Sequence, residues 1–182
     1  MKRVLILLAT VFCLGCSGGK PKVVDEAVED AVEIDADSTQ LDDGYTTLEL
    51  TKTRTGHITV TIDVNGTPCV FLVDTGGGGT LIDKSKKRKF GLEASKTVDY
   101  AAGIGSRSSL VKTEATLQID GQDIKVDDLY LMDISYINSE FRKNRAKQVD
   151  GVLGTDFLDK YGAVIDYAQQ KLFLAKDKLG GK

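Results

Sequence analysis

The residue that most invites a chemical reading is Asp74. It follows Val70-Phe71-Leu72-Val73, an apolar stretch that leaves a carboxylate little access to water. A charge placed there costs several kcal/mol of desolvation unless it is hydrogen-bonded, paired or neutralised. Thr75 adds a hydroxyl beside it, and Gly76 to Gly79 permit a tight turn whose backbone N–H groups could hold the acid. Other candidate groups are sparse. His57 is the only histidine, which excludes a three-histidine zinc site and an HExxH motif; at the start of a strand it is expected to face solvent. Cys69 shares strand parity with Phe71 and Val73 and reads as a small buried hydrophobe with no neighbouring base. Asp150 precedes Gly151 and is expected to brace a loop rather than share the chemistry of Asp74. No Gly-Lys-Thr/Ser follows the glycine run, so it is not a phosphate-binding P-loop. Neither a metal nor an organic cofactor is implied.

The elements that must position Asp74 are strands. Ile58, Val60, Ile62 and Val64 alternate with polar residues along one face. Asn65-Gly66 supplies a tight hairpin turn, and Thr67 to Val73 returns as a strand apolar on both faces, hence central. Tyr45 to Leu50 is a further strand. Val98 to Ile119 predicts a pair interrupted by Gly103-Ile104-Gly105-Ser106, and Asp120-Gly121 marks another turn. Leu129 to Ile134, Tyr161 to Asp166 and Lys171 to Leu174 are strand-like; Asn138 to Lys147 is basic and suits helix or loop. Asp83 to Phe90 predicts a short surface helix closed by Gly91, with Lys84, Lys86, Lys87, Arg88 and Lys89 on a solvated face or, less simply, facing anionic lipid or an acidic substrate. Phe157-Leu158 suits one helical turn. Short strands with glycine-rich turns indicate an all-β barrel or sandwich rather than alternating α/β units.

The chain has 182 residues and a formal charge of -3, which argues against nucleic acid as a partner. Lys2 and Arg3 precede an apolar run, Val4 to Phe12, of signal-peptide size and too short to span a bilayer. It ends in Cys13-Leu14-Gly15-Cys16-Ser17, which resembles a bacterial lipobox, with Cys16 as the lipid-bearing residue and Cys13 where leucine is usual. The expectation is therefore a signal peptide over 1–15, a lipidated Cys16, and an outer-membrane lipoprotein facing the periplasm; a plain secreted or periplasmic protein is the alternative. Residues 16–44 are acidic and free of aromatics, as expected of a mobile spacer, and the folded domain is expected over 45–182.

Taken together, Leu72-Val73-Asp74-Thr75-Gly76-Gly77 and the later Asp150-Gly151-Val152-Leu153-Gly154 resemble the two signatures of single-lobed, retropepsin-like aspartic proteases. The resemblance covers about residues 45 to 176 and implies a closed β-barrel with a flap hairpin and one or two short helices. It implies Asp74 as the catalytic acid, Thr75 and Gly76 as the rest of the catalytic loop, and Val152-Leu153-Gly154 beneath that loop. It also implies substrate contacts from Gly77 and from a flap with Tyr100, Gly103, Ile104 and Gly105. One such motif per chain implies a homodimer that pairs two Asp74 carboxylates, because the reaction needs two acids sharing a proton. The implied function is an aspartic endopeptidase acting on peptide or protein substrates. The sequence departs from the family in Gly77-Gly78-Gly79, where Ala or Ser is usual after the motif, and this run should loosen the loop. A retropepsin fold with weak or no catalysis, serving as a peptide-binding or envelope-scaffolding module, is the alternative.

Overall fold

The computed structural model describes residues 43–95, 98–103 and 106–180. Its ten strands are β1 (Tyr45–Lys52), β2 (Ile58–Val64), β3 (Thr67–Val73), β4 (Leu81–Asp83), β5 (Val98–Gly103), β6 (Ser106–Ile119), β7 (Gln122–Met132), β8 (Gly151–Leu153), β9 (Val164–Asp166) and β10 (Lys171–Ala175). Three short helices, α1 (Ser135–Lys143), α2 (Thr155–Lys160) and α3 (Lys176–Leu179), punctuate them.

Six of the strands close a barrel. Around it run β2, β3, β8, β4, β7 and β6, and the ring shuts where Asp63 and Val64 of β2 pair with Gln118 and Leu117 of β6. The β3–β8 and β4–β7 pairs are parallel and the others antiparallel. Hairpin geometry follows from the residues at the turns. Asn65 and Gly66 have φ of 49° and 76°, and Asp120 and Gly121 have 53° and 72°, the left-handed pair that a two-residue hairpin needs. Strand β1 is shared: Leu50 to Lys52 pair with β2, whereas Tyr45 to Glu49 pair with β10, which carries β9 on its other side. Strand β5 lies outside the ring and pairs with β6 as the first strand of a hairpin arm.

The inward positions of the alternating strands fill the barrel. Val60, Phe71, Ile82, Leu117, Leu131 and Leu153 are buried in one apolar cluster with Val73 and Phe157. Each such side chain contributes about 1.5–3 kcal/mol when fully buried. A second cluster lies on the other face of the same strands, where Leu72, Leu81, Met132 and Val152 meet Ile134, Phe141 and Val149. Strand β3, buried on both faces, sits between β2 and β8, as its doubly apolar pattern predicts.

Some local expectations are corrected. Residues 83–90 do not form the expected α-helix: Leu81 to Asp83 join β7 and β8 as β4, and only Lys84–Lys86 make a 3₁₀ turn. Sheet pairing claims the segment's start, and burial of Phe90 and Leu92 fixes its end. Too few residues remain to offset helix nucleation. Gly91 does close the segment with φ of 59°. Strand β7 is longer than its apolar end predicts, because partnership with β6 carries it through polar Gln122 to Asp128. Conversely, the expected strand from Tyr161 begins only at Val164, since Tyr161 caps α2 and Gly162 turns with φ of 56°.

Candidate active site

Strand β3 delivers Asp74 to the rim of the barrel at its C-terminal end, and β8 runs parallel beside it with Val73 level with Leu153. The Asp74 N–H continues that pairing by donating to the Leu153 carbonyl at 3.0 Å. The chain then turns. The Gly76 N–H donates to Asp74 Oδ1 at 2.9 Å, and the Gly77 N–H donates to the Asp74 carbonyl at 3.2 Å. The backbone thus holds the carboxylate through the bare turn that the glycines allow. A Cβ on Gly77 would lie 3.1 Å from Asp74 Oδ2 and 3.3 Å from its Cγ. Asp74 and Gly77 are half-buried, while Thr75 and Gly76 are exposed.

A second tier supports this loop from beneath. Gly154 follows β8 and opens α2, and a Cβ there would fall 2.6 Å from the C and O atoms of Gly79. Real Cβ atoms do not approach backbone so closely, so this position belongs to glycine. Thr155 donates to the Gly77 carbonyl through its N–H at 2.8 Å and its hydroxyl at 3.0 Å. Thr80, which ends the glycine run, is buried and sits at the centre of the brace. Its hydroxyl accepts from the Gly154 N–H at 3.1 Å and donates to Asp156 Oδ1 at 2.7 Å. Its N–H donates to Asp156 Oδ2 at 2.9 Å, and the Phe157 N–H adds a bond to Oδ1 at 2.7 Å. The Asp156 carboxylate thereby ties the loop after Asp74 to the start of α2.

Thr80 and Asp156 support the candidate site from beneath, and the sequence alone does not single them out. They are far apart in the chain, and only the meeting of β3, β4 and β8 joins them. The available signal was modest: a threonine closing the glycine run, and an acid at the second position of a short helix.

The remaining candidates are distributed as follows. Tyr100 and Gly103 lie on β5, with Tyr100 opposite Ser109 and Gly103 opposite Ser106 in the β5–β6 hairpin. Ile104 and Gly105 at its tip fall outside the described residues, as do Cys16, the leader and the acidic spacer before Asp43. Asp150 is a bracing acid. It lies level with Val70, four residues or about 13 Å along the strand from Asp74, and its carboxylate accepts from the Val70 N–H at 3.2 Å and from Lys89 at 2.9 Å. Cys69 is buried and free; burial first, and the Asp150 charge second, push its thiol far above the usual range, leaving it protonated. His57 is exposed and shares a 2.9 Å hydrogen bond between Nδ1 and Thr55 Oγ1. Among the described residues, no three His, Cys, Asp or Glu side chains converge as metal ligands.

The arrangement can present one well-held carboxylate, flanked by an exposed hydroxyl, at the edge of a barrel. Comparison with known proteins gives this geometry a context. The family model described as "Aspartyl protease" matches residues 59–157, which include the Asp74 loop, β8 and the start of α2. No curated protein matches the chain. Among solved structures, a retropepsin-like aspartic protease from Rickettsia conorii is similar over 72% of this chain and 98% of its own, at 20% identity and a TM-score of 0.50. The retroviral protease-like domain of Ddi1 from Leishmania major covers 72% of this chain and 90% of its own, at 15% identity and a TM-score of 0.45.

Proposed function

The chain belongs to the aspartyl protease family, and from that premise we propose that it is an endopeptidase whose two catalytic acids are the Asp74 residues of a homodimer. The observation that carries this reading is the Asp74 loop itself: a single Asp-Thr-Gly per chain, held by backbone N–H groups, with Thr75 and Gly76 left exposed beside the acid. One such loop is half a catalytic unit. Two carboxylates about 3 Å apart cannot both ionise and so share a proton. A twofold axis through the exposed loops supplies the second acid at no cost in sequence.

In this reading the ionised Asp74 takes a proton from a bound water as its oxygen attacks the scissile carbonyl carbon. The protonated Asp74 of the other protomer gives its proton to the carbonyl oxygen. Collapse of the tetrahedral diol breaks the C–N bond as the carboxyl that took the water proton passes it to the leaving nitrogen. The other carboxylate meanwhile takes back a proton from a diol hydroxyl, whose oxygen becomes the carbonyl of the new acid. One acid again holds a proton and the other is charged. Thr75 would brace the two loops across the axis, and Gly76 would allow their approach. The β5–β6 hairpin, carrying Tyr100 and Gly103 to Gly105, would close over the peptide with Gly77 below it.

The tests are cleavage of a peptide library from pH 3 to 7 by wild-type protein and by Asp74→Asn, with sedimentation to establish the oligomer. We further propose that Cys16 is lipidated after removal of residues 1–15 and that the enzyme faces the periplasm from the outer membrane. Incorporation of labelled palmitate that disappears in Cys16→Ala checks this; incorporation that persists would contradict it.

A further inference from the structure

Strand parity places more than Asp74 on the face that a substrate must cross. Along β3, Val70 and Leu72 face away from the barrel interior while Phe71 and Val73 point into it, and Asp74, one residue past the strand's end, continues the parity of Leu72. The register carries the Leu72 position across three more strands: Leu72 is level with Val152, Val152 with Leu81, and Leu81 with Tyr130. An apolar row therefore runs beside the catalytic acid, one strand repeat below it.

That row is roofed. Leu72, Leu81 and Val152 retain only 7%, 9% and 5% of their surface and cluster with Ile134, Phe141 and Val149, while Ile137 and Tyr130 pack partly exposed at the margin. Phe141 belongs to α1, in the connection between β7 and β8, and its ring centroid lies 5.5 Å from that of His57. His57 stands two positions before Thr59, the partner of Leu72, just as Asp74 stands two positions after Leu72. The helix therefore reaches the level of the acid. It is also clamped: the buried Asn138 amide donates to the Val149 carbonyl at 3.0 Å and accepts from the Val149 N–H at 2.9 Å, fixing α1 to the segment that leads into β8.

We propose that α1 is a specificity element, with Phe141 and Ile137 limiting the size of the substrate side chain beside the scissile bond. This rests on the peptidase reading above. With the row already filled by the helix, a peptide meets a shallow apolar floor, and small apolar residues fit where aromatic ones do not. The twofold axis repeats the wall, so the limit applies on both sides of the cut. Phe141 acts by filling space behind the floor and Ile137 by forming its rim.

The test uses the full chain and peptides that carry Ala, Val, Leu or Phe at the two positions flanking the bond. Wild-type protein is expected to favour Ala and Val over Phe by at least tenfold in kcat/KM, since single steps in side-chain size are worth about that factor or more. Phe141→Leu and the partly exposed Ile137→Ala should each raise kcat/KM for the Phe peptides about tenfold relative to the Ala peptides, chiefly through KM, with the urea midpoint of Ile137→Ala held. Equal use of Ala and Phe by wild type, or variants that alter all peptides alike, would overturn the size limit and leave the peptidase reading intact. A folded dimer that cleaves none of the peptides would instead overturn the peptidase reading and this inference with it.

Discussion

Asp74 gains its hold from main-chain geometry, and Thr80 shows how much that geometry depends on residues outside the motif. The Thr80 hydroxyl both accepts from Gly154 and donates to Asp156, so one small side chain fixes the loop above and the helix start below. Thr80→Val keeps the shape, leaves the buried Gly154 N–H without its acceptor and removes one of the two hydrogen bonds to Asp156 Oδ1. It should lower stability by about 1–3 kcal/mol, read by urea unfolding, and should reduce turnover as the loop loosens. Unchanged stability would mean that the brace is redundant. Cys69 permits a sign-defined test. Burial raises the thiol in the folded protein, so its contribution to stability is full below about pH 8.5, the pKa of a free thiol. Above that pH only the unfolded chain readily gives up the proton, and stability falls by about 1.4 kcal/mol per pH unit from this group. Comparing unfolding midpoints of wild type and Cys69→Ala between pH 8 and 10 should show a shallower decline in the variant. Parallel declines would contradict the assignment.

Glycines make the contact between elements possible. At Gly154 any Cβ would overlap the backbone of Gly79. Gly154→Ala should therefore separate α2 from the Asp74 loop, at about 1–3 kcal/mol, with activity lost more completely than stability; calorimetry and cleavage assays read the two. This scale also explains what could be read in the sequence. The hairpins at Asn65-Gly66 and Asp120-Gly121, and the alternation along β2, are local signals and predict the observed elements. Residues 83–90 carry a local preference for helix that sheet pairing of Leu81 to Asp83 overrides. The Thr80–Asp156 brace was invisible for a related reason: it is a long-range contact, and neither residue is unusual in its own segment. Helix α1 was legible only as a basic segment, because its buried Asn138 and Phe141 acquire meaning from the strands they cover.

In the molecule as a whole, the acidic leader-side segment and the barrel divide the labour of placement and chemistry in the proposed account, and the catalytic unit exceeds one chain. Activity should thus depend on concentration: specific activity should fall on dilution through the dimer dissociation constant. Mixing wild type with excess Asp74→Asn should depress it further by forming half-sites. Activity proportional to concentration down to a strict monomer would exclude a shared pair. The most direct test of the central claim remains cleavage by folded, dimeric protein with and without Asp74. The account predicts peptide cleavage by wild type and a loss of at least about a thousandfold in Asp74→Asn, with its barrel and dimer retained. Cleavage that survives the substitution would contradict it.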